Sequence, residues 1–360
     1  MNQHHYAIIM AGGIGSRFWP MSRTACPKQF LDILNTGKTL LQSTYERFLG
    51  FIPQQNIFVV TADDYLSLVQ SQLPGLPAEN ILGEPERKNT APCIALISMK
   101  LLLKDPNANM IVAPSDHLIE NEPAFRENCL QALNFTEKEN ALVTLGIQPT
   151  HANTGYGYIQ YEKPSVLGEM HRVKRFTEKP DKQTALSFLK DGSYLWNAGI
   201  FIWKAADILH AFKAYAPQVY HLFKAGETAM NSSFEKETIN HIFSICPSIS
   251  IDYAIMEKAQ NVFVIPATFE WSDLGTWNSA WENFGKDDDQ NAVASDNTLM
   301  VNASGCMVHS SDKKLILVGG VDNLIIVNTK DALLICNKEN EQQIKDYVKK
   351  LQENTGDIYL

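Results

Sequence analysis

The chain has 360 residues, 45% of them hydrophobic and 20% charged, so it can bury a large core and is long enough for one large domain and a small one. Its net charge of -9, without any basic run, argues against a nucleic-acid polymer as a partner, and any anion site has to be local. Scattered cysteines, no signal-peptide pattern and no apolar run near the roughly 18 residues of a membrane helix predict a cytoplasmic protein without a disulfide framework or a zinc site.

The first predicted strand, residues 6–10, leads into a loop that combines glycines with cations. The residues concerned are Gly12, Gly13, Gly15, Arg17 and Lys28. A turn that directs bare N–H groups and two cations at one spot is typical of a phosphate site, so the loop predicts nucleotide binding. The spacing excludes a dinucleotide fingerprint, because no third glycine or alanine follows at the required position. The segment 32–39 is not a P-loop, because Asp32 stands where the first glycine should be.

The first half of the chain alternates short apolar strands with helical patterns. Strands are predicted at 6–10, 57–60, 110–113 and 141–145, and helices at 40–48, 65–72, 92–103 and 123–136. Such alternation predicts an α/β fold, a Rossmann-like and mainly parallel sheet with helices on both faces. Ligands of these sheets sit at the carboxyl ends of the strands. The glycine loop and the segment 114–117 both follow strands, so we expect them to face one crevice.

The middle of the chain is less regular and elaborates the same domain. Its patterns predict strands at 156–161, 173–177 and 194–203, and helices at 181–190, 205–214 and 251–258.

A polar, acidic stretch at 285–291 predicts a linker between two domains, residues 1–285 and 291–360. Beyond it, short strands are predicted at 299–301, 307–309, 315–318, 324–327 and 332–335. These strands alone fit a small sandwich as well as other β folds. Ile344, Tyr347, Val348 and Leu351 then share one face of a predicted helix.

Eight motifs in family order resemble the sugar-1-phosphate nucleotidyltransferases, and the last six of them resemble their mannose-1-phosphate guanylyltransferase branch. They are Gly12-Gly-Ile-Gly-Ser-Arg-Phe-Trp-Pro20, Pro27-Lys-Gln29, Glu84-Pro-Glu-Arg-Lys-Asn-Thr-Ala-Pro92, Pro114-Ser-Asp-His117, Asn153-Thr-Gly-Tyr-Gly157, Phe176-Thr-Glu-Lys-Pro180, Asn197-Ala-Gly-Ile-Phe201 and Trp271-Ser-Asp-Leu-Gly-Thr-Trp277. The segment Phe18-Trp-Pro-Met-Ser-Arg23 is similar to the corresponding sequence of the mannose-1-phosphate guanylyltransferase branch. The series covers most of residues 6–277.

The resemblance implies transfer of GMP from GTP to mannose 1-phosphate, giving GDP-mannose and pyrophosphate with Mg²⁺. It further implies a homodimer of the short, monofunctional form and a short left-handed β-helix at the C-terminal end. In this reaction the attacking phosphate oxygen is already an anion, so no general base is required. Catalysis then consists of positioning and charge neutralisation.

Metal and triphosphate ligands follow from this chemistry. Mg²⁺ usually takes one or two protein carboxylates, and Asp116 and Asp273 fit that role and match the family's ligands. Arg17 suits two phosphate oxygens as a fork, whereas Lys28 acts as a point charge, and we predict both as catalytic residues. The nucleotide-binding residues predicted from the loops are Ala11, Gly12, Gly13, Gly15, Ser16, Pro114 and Ser115.

The guanine base is expected to meet the segment 84–90. Its N–H donors can be accepted by Glu86 or Asn89, and Thr90 lies beside them, although Asn89 or Thr90 fits equally well as the cap of a helix before Pro92. For the sugar phosphate, Lys179 is the predicted counter-ion and Glu178 the acceptor of hydroxyl groups. The positions that resemble the family's hydroxyl-binding residues are Asn153, Gly157, Asn197 and Gly199.

Three alternatives stay open at the level of sequence. The substrate could be another hexose or heptose 1-phosphate, or the base could differ. A glycosyltransferase that consumes a nucleotide sugar is disfavoured, because a diphosphate donor needs fewer cations than Arg17 and Lys28 supply. A non-catalytic relative would have lost its metal carboxylates or its glycine loop, and both are intact.

Overall fold

The computed structural model describes all residues from 1 to 360. The chain divides into two compact units: Met1–Gly12, Tyr45–Pro114 and Ile119–Trp271 form the first, and Gly13–Thr44, Ser115–Leu118 and Ser272–Leu360 form the second. No helix has the length and apolar character needed to cross a membrane.

The strands, in chain order, are β1 (His5–Met10), β2 (Ile57–Ala62), β3 (Ile81–Glu84), β4 (Asn109–Pro114), β5 (Leu118–Ile119), β6 (Leu142–Ile147), β7 (Tyr158–Leu167), β8 (Met170–Thr177), β9 (Tyr194–Lys204), β10 (Val262–Pro266), β11 (Trp271–Ser272), β12 (Ala292–Ala294), β13 (Thr298–Val301), β14 (Met307–Ser310), β15 (Ile316–Gly319), β16 (Leu324–Asn328) and β17 (Leu333–Asn337).

The α-helices are α1 (Leu40–Leu49), α2 (Leu66–Gln72), α3 (Thr90–Lys104), α4 (Glu122–Lys138), α5 (Lys182–Asp191), α6 (Ala205–Tyr215), α7 (Pro217–Ala225), α8 (Glu235–Ile245), α9 (Trp277–Asn283) and α10 (Ile344–Thr355). Short 3₁₀ turns lie at Ser16–Phe18, Lys28–Phe30, Gln54–Asn56, Asp63–Tyr65, Ala78–Asn80, Glu227–Ala229, Lys338–Gln343 and Gly356–Tyr359, and a π-helical turn at Asp252–Met256.

The first unit is built on a nine-stranded mixed sheet in the order β3-β2-β1-β4-β9-β6-β10-β8-β7. The first four strands are parallel, and β9 runs antiparallel to both β4 and β6. β1, β2 and β4 are buried on both faces, as their unbroken apolar runs require. Met10 pairs with Pro114, so the chain leaves β1 and β4 at neighbouring points of the same edge.

Several helices begin or end at residues that are typical helix caps. Asn121 and Asp181 each accept a hydrogen bond from the first turn of α4 and α5, and Gly192 closes α5 in the left-handed conformation. The apolar α3 is buried along most of its length in the core of the first unit. These local signals explain why the predicted helices of this half are confirmed to within a few residues.

The C-terminal part of the second unit is a stack of short parallel strands. β12, β14 and β16 pair in parallel, as do β13 and β15, and β17 closes the stack antiparallel to β16. Parallel neighbours that recur once per coil are typical of a β-helix, whereas a sandwich of consecutive hairpins has antiparallel ones. The predicted α/β fold with a small C-terminal β domain is thereby confirmed, and the sandwich is excluded.

The structure differs from the sequence-based expectation before β10. Residues 251–258 carry a helical pattern, yet they form a single π-helical turn at Asp252–Met256. Helices α7 and α8 were also not predicted, although the buried residues Ile239, Ile242 and Phe243 of α8 have helical spacing.

Candidate active site

The glycine loop after β1 has a fixed backbone. Gly15 has a φ of 63°, a left-handed conformation, and a Cβ atom placed on it would collide with Lys28 Cβ. Two loop carbonyls are held by side chains, since Gln29 Nε2 donates to Gly13 O at 2.9 Å and Ser22 Oγ donates to Ile14 O at 2.9 Å. Gly13 itself faces open space, with no atom within 4 Å of a Cβ placed there. The loop is therefore rigid on one side and accessible on the other.

Arg17 lies in the 3₁₀ turn that follows Gly15. Its neighbour Phe18 is fully buried and packs on Trp277, with ring centroids 4.9 Å apart. The Nε atom of Arg17 is buried and has no hydrogen-bond partner. A buried guanidinium N–H without a partner is costly, and an anion that accepts from it removes the cost. The predicted role of Arg17 toward a phosphate stays a prediction, and this geometry is consistent with it.

In the second unit, Lys28 contacts Asp116, Asp273 and Phe18. Its side chain is only 4% exposed, and Nζ lies 3.1 Å from Asp116 Oδ2. Nζ also donates to the backbone oxygen of Asp273 at 2.7 Å and lies 5.5 Å from the centre of the Phe18 ring. The ammonium thus joins the two segments that carry the predicted metal ligands, Asp116 and Asp273. Its charge is used within the protein, which a sequence motif alone does not show.

Both aspartates are suited to a divalent cation. Burial opposes ionisation of Asp116, but the charges of Lys28 and His117 more than offset it and hold the pKa of this carboxyl below its usual value. Asp273 Oδ1 accepts from Gly275 N at 3.0 Å, and a Cβ atom on Gly275 would lie 2.6 Å from Asp273 Oδ2, so only glycine leaves room for this carboxylate. One or two carboxylates are the protein ligands that Mg²⁺ takes when substrate phosphates and water complete its shell. No group of three or more acidic, histidine or cysteine side chains forms an all-protein metal site.

In the segment after β3, the side chains that were predicted to bind the base form contacts within the protein. Asn89 adopts a φ of 69° and caps α3 by accepting from Thr90 N, and Thr90 Oγ1 accepts from Ile251 N at 2.9 Å. Glu86 pairs with Lys88 at 2.9 Å. The capping alternative left open by the sequence is thus present in the fold. Whether these residues also contact a base stays a prediction.

Glu84, at the end of β3, is a buried acid that the sequence prediction passed over. It is 7% exposed, its Oε1 has no partner, and burial raises its pKa to about 8 against a smaller opposing effect of Arg87. A Cβ on Gly12 would lie 3.6 Å from Glu84 Oε2, so the carboxyl group reaches the start of the glycine loop. It lines a cavity of about 370 Å³ with Glu86 and Arg87. Glu84 is the first residue of the motif Glu84-Pro-Glu-Arg-Lys-Asn-Thr-Ala-Pro92, but its burial at the end of β3 is visible only in the fold.

Near the ends of β1 and β4, the backbone atoms of predicted nucleotide-binding residues form hydrogen bonds within the protein. Ala11 N donates to Val60 O at 2.7 Å, and Thr61 Oγ1 donates to Ala11 O at 2.8 Å. Ser115 is buried, and its carbonyl accepts from Thr44 Oγ1 at 3.2 Å. Ala11 is thus held by its bonds to β2, and Ser115 by the side chain of Thr44.

Four predicted sugar-site residues meet in the first unit, and we call them the sugar cluster: Gly157, Glu178, Lys179 and Asn197. A Cβ on Gly157 would lie 2.5 Å from Glu178 Oε2 and 3.3 Å from Asn197 Cβ, so the glycine is required by close approach. Lys179, which has a φ of 45°, pairs with Glu178. Gly199 N donates to Asn197 Oδ1 at 3.1 Å and orients that amide.

Asn153 forms a separate local structure. Its Oδ1 accepts from Gly155 N at 2.7 Å, and its backbone N–H donates to the Tyr158 hydroxyl at 3.0 Å. This is an Asx turn that shapes the loop before β7.

Asp252 joins the sugar cluster although no motif pointed to it. Asn197 Nδ2 donates to Asp252 Oδ1 at 3.0 Å. Burial and then the charge of Glu178 raise the pKa of Asp252 to about 7. The available signal was an acid inside an otherwise apolar stretch, Ile251-Asp-Tyr-Ala-Ile-Met256, which the helical pattern concealed.

Comparisons with known proteins show which families the chain resembles. Residues 6–290 match the family model described as Nucleotidyl transferase, and residues 296–351 match one described as MannoseP isomerase/GMP-like beta-helix domain. The chain is 38% identical over 355 residues to the alginate biosynthesis protein AlgA of Pseudomonas putida, covering 96% of this chain and 71% of that protein. It is 38% identical over 358 residues to a mannose-1-phosphate guanylyltransferase of Escherichia coli, covering 98% and 75%. A crystal structure from Thermus thermophilus, named a mannose-1-phosphate geranyltransferase, has a TM-score of 0.87 and 31% identity, covering 97% of this chain and 99% of its own.

Proposed function

This chain belongs to the nucleotidyltransferase family, and from that premise we propose that it is a mannose-1-phosphate guanylyltransferase, which makes GDP-mannose and pyrophosphate from GTP and mannose 1-phosphate. The geometric observation that carries the proposal is the buried Lys28 ammonium, which ties the glycine loop to Asp116 and to the backbone of Asp273. The substrates are those in the name of the relative from Escherichia coli.

The reaction needs positioning rather than a base. A phosphate oxygen of mannose 1-phosphate attacks the α-phosphorus of GTP, and the bond from that phosphorus to the bridging oxygen of the β-phosphate breaks. Pyrophosphate leaves with the electron pair, and no proton is transferred. Arg17 binds triphosphate oxygens, and the rigid loop at Gly13 and Gly15 lets the phosphates approach the backbone.

Asp116 and Asp273 would hold a Mg²⁺ ion, which neutralises charge on the triphosphate when it is bound. Lys28 keeps both segments in place and keeps Asp116 ionised. In the sugar cluster, Lys179 serves as counter-ion of the sugar phosphate. Glu178 accepts hydrogen bonds from the hydroxyl groups of the sugar, and Asn197 donates to them. Glu86, Asn89 and Thr90 are the proposed contacts of the base.

Two further features belong to the proposal. GTP and sugar phosphates are metabolites of the cytoplasm, and we place the enzyme there. The homodimer implied by the family resemblance stays a prediction, which light scattering at micromolar concentration measures directly. The division at 285–291 into two domains also stays a prediction.

The test is a pyrophosphate-release assay across four nucleoside triphosphates and several sugar 1-phosphates. We expect release only when GTP, mannose 1-phosphate and Mg²⁺ are all present. A glycosyltransferase releases no pyrophosphate from GTP, and a nucleotidyltransferase of other specificity prefers another pair of substrates. Either result rejects the proposal, and the panel then identifies the substrates in its place.

A further inference from the structure

The amide group of Asn197 has a fixed orientation in the sugar cluster. Its Oδ1 accepts from Thr144 Oγ1 at 3.0 Å and from Gly199 N at 3.1 Å, so the oxygen faces the sheet. The nitrogen is therefore on the other side, where it donates to Asp252 Oδ1 at 3.0 Å. A side-chain amide carries two N–H donors, and this bond uses one of them. Asp252 is thus fixed next to a residue that is proposed to contact the sugar.

The backbone at Asp252 is unusual in a way that favours function. Asp252 begins the π-helical turn Asp252–Met256, whose buried side chains Ala254, Ile255 and Met256 anchor it in the core. Such turns are rare and occur frequently at functional sites. The preceding residue, Ile251, is held by its N–H bond to Thr90 Oγ1. The backbone that carries the Asp252 carboxyl group is therefore fixed in position.

The charges around Asp252 disfavour a purely structural role. The charged side chains that act on Asp252 are Glu178 and Lys179, and a hydrogen bond with Ser250 favours its ionised form. Tyr253 acts on Lys179, and Glu257 accepts from the backbone of Glu178 at 2.9 Å. The single cation, Lys179, is already paired with Glu178. Burial first and the charge of Glu178 second raise the pKa of Asp252 to about 7. At a pH above the pKa that Asp252 has in the unfolded chain, this carboxyl lowers the free energy of unfolding. Asp252 therefore costs the protein stability near neutral pH.

We propose that Asp252 is a specificity-determining residue of the sugar pocket, and that its carboxyl group hydrogen-bonds a ring hydroxyl of the hexose next to the one bound by Glu178. The proposal rests on the proposed function and deepens it. Two carboxyl groups that share the charge of one lysine provide both a hydrogen-bond acceptor and, when one of them is protonated, a donor. A sugar hydroxyl offers both roles in the same way, and a site built to bond it rejects analogues that lack it.

The test compares Asp252→Asn with Glu237→Gln, a control at an exposed position of α8. Asparagine keeps an oxygen that accepts from Asn197 but removes the acid. We expect kcat/KM for mannose 1-phosphate to fall about 10- to 100-fold while KM for GTP stays within about twofold. The melting temperature at pH 8 is expected to be unchanged or higher, which an acid with a structural role would not give.

Deoxy analogues of mannose 1-phosphate identify the hydroxyl. For the analogue that lacks the bonded hydroxyl, wild type and Asp252→Asn are expected to have equal kcat/KM, while the other analogues keep the full difference. An unchanged kcat/KM, an equal loss with every analogue, or a lower melting temperature overturns the inference. If wild type and the control both fail to release pyrophosphate from GTP and mannose 1-phosphate, it is the proposed function that fails.

Discussion

At the scale of single residues, Lys28 has the most constrained environment of the predicted catalytic groups. Its ammonium is buried and serves both Asp116 and Asp273. Lys28→Met keeps the length and the apolar stem that packs near Phe18, but it removes the charge and deprives Asp116 of its lysine partner. We expect kcat to fall about 100-fold or more, since a preorganised charge at such a site is worth that much. Steady-state pyrophosphate release measures the loss, with exposed Lys38→Met as the control.

Lys179 is expected to behave differently, because its side chain is 59% exposed and lies in the sugar cluster. Lys179→Ala removes the proposed counter-ion of the sugar phosphate while leaving the glycine loop unaltered. We expect KM for mannose 1-phosphate to rise about tenfold, with KM for GTP nearly unchanged. The matched control is Lys182→Ala, on the exposed face of α5. A rise in both Michaelis constants would remove Lys179 from its assigned role.

At the scale of elements, the glycine loop depends on one backbone conformation. Gly15→Ala places a Cβ in the left-handed region and against Lys28 Cβ. We expect a loss of about 1–3 kcal/mol in the free energy of unfolding, together with a large loss of kcat. Urea denaturation measures the first quantity. Gly285→Ala is the control, because no atom lies within 4 Å of its added Cβ and its φ is not positive. Equal stability of the two variants would contradict the argument.

Elements with local signals could be predicted from the sequence, and elements without them could not. Asn121 and Asp181 mark helix starts, and the buried runs of β1, β2 and β4 are recognisable without a partner. The π-helical turn at Asp252–Met256 gives the same apolar spacing as a short α-helix, so the pattern could not separate the two. The missed acids, Glu84 and Asp252, become visible only when burial and neighbours are known.

The same distinction applies to the site. The family resemblance pointed to Gly157, Glu178 and Asn197, and the fold brings them close together, since a Cβ on Gly157 would lie 2.5 Å from Glu178 Oε2. The resemblance could not show that the Lys28 ammonium is used by Asp116, because residues 28 and 116 are brought together only by the fold. Nor could it decide that Asn89 caps α3.

At the scale of the whole molecule, the glycine loop is part of the unit that contains the C-terminal strands. Trp19 Nε1 and Arg23 Nη1 both donate to the backbone oxygen of Tyr359, at 2.8 Å and 2.7 Å. Arg23 also pairs with Asp331 at 2.9 Å. The stability of this unit therefore determines how firmly the glycine loop is held, and a loss of stability there is expected to reduce activity as well.

His309 makes the stability of that unit depend on pH. It is 2% exposed, both ring nitrogens lack hydrogen-bond partners, and burial lowers its pKa from 6.5 to about 4. The unfolded chain therefore takes up a proton before the folded one does. Stability is complete above pH 6.5 and is lost as the pH falls from 6.5 toward 4, by about 2 kcal/mol at pH 5.

His309→Leu removes this titration without breaking a hydrogen bond, and the new side chain still packs against Trp277. We expect the free energy of unfolding to fall less between pH 7.5 and pH 5 in this variant than in the wild type, as measured by urea denaturation at both pH values. His241→Gln, at an exposed position of α8, is expected to retain the wild-type slope. If His309→Leu retains that slope too, the acid sensitivity of the fold comes from other groups, and the buried imidazole is already protonated or solvated in the folded chain.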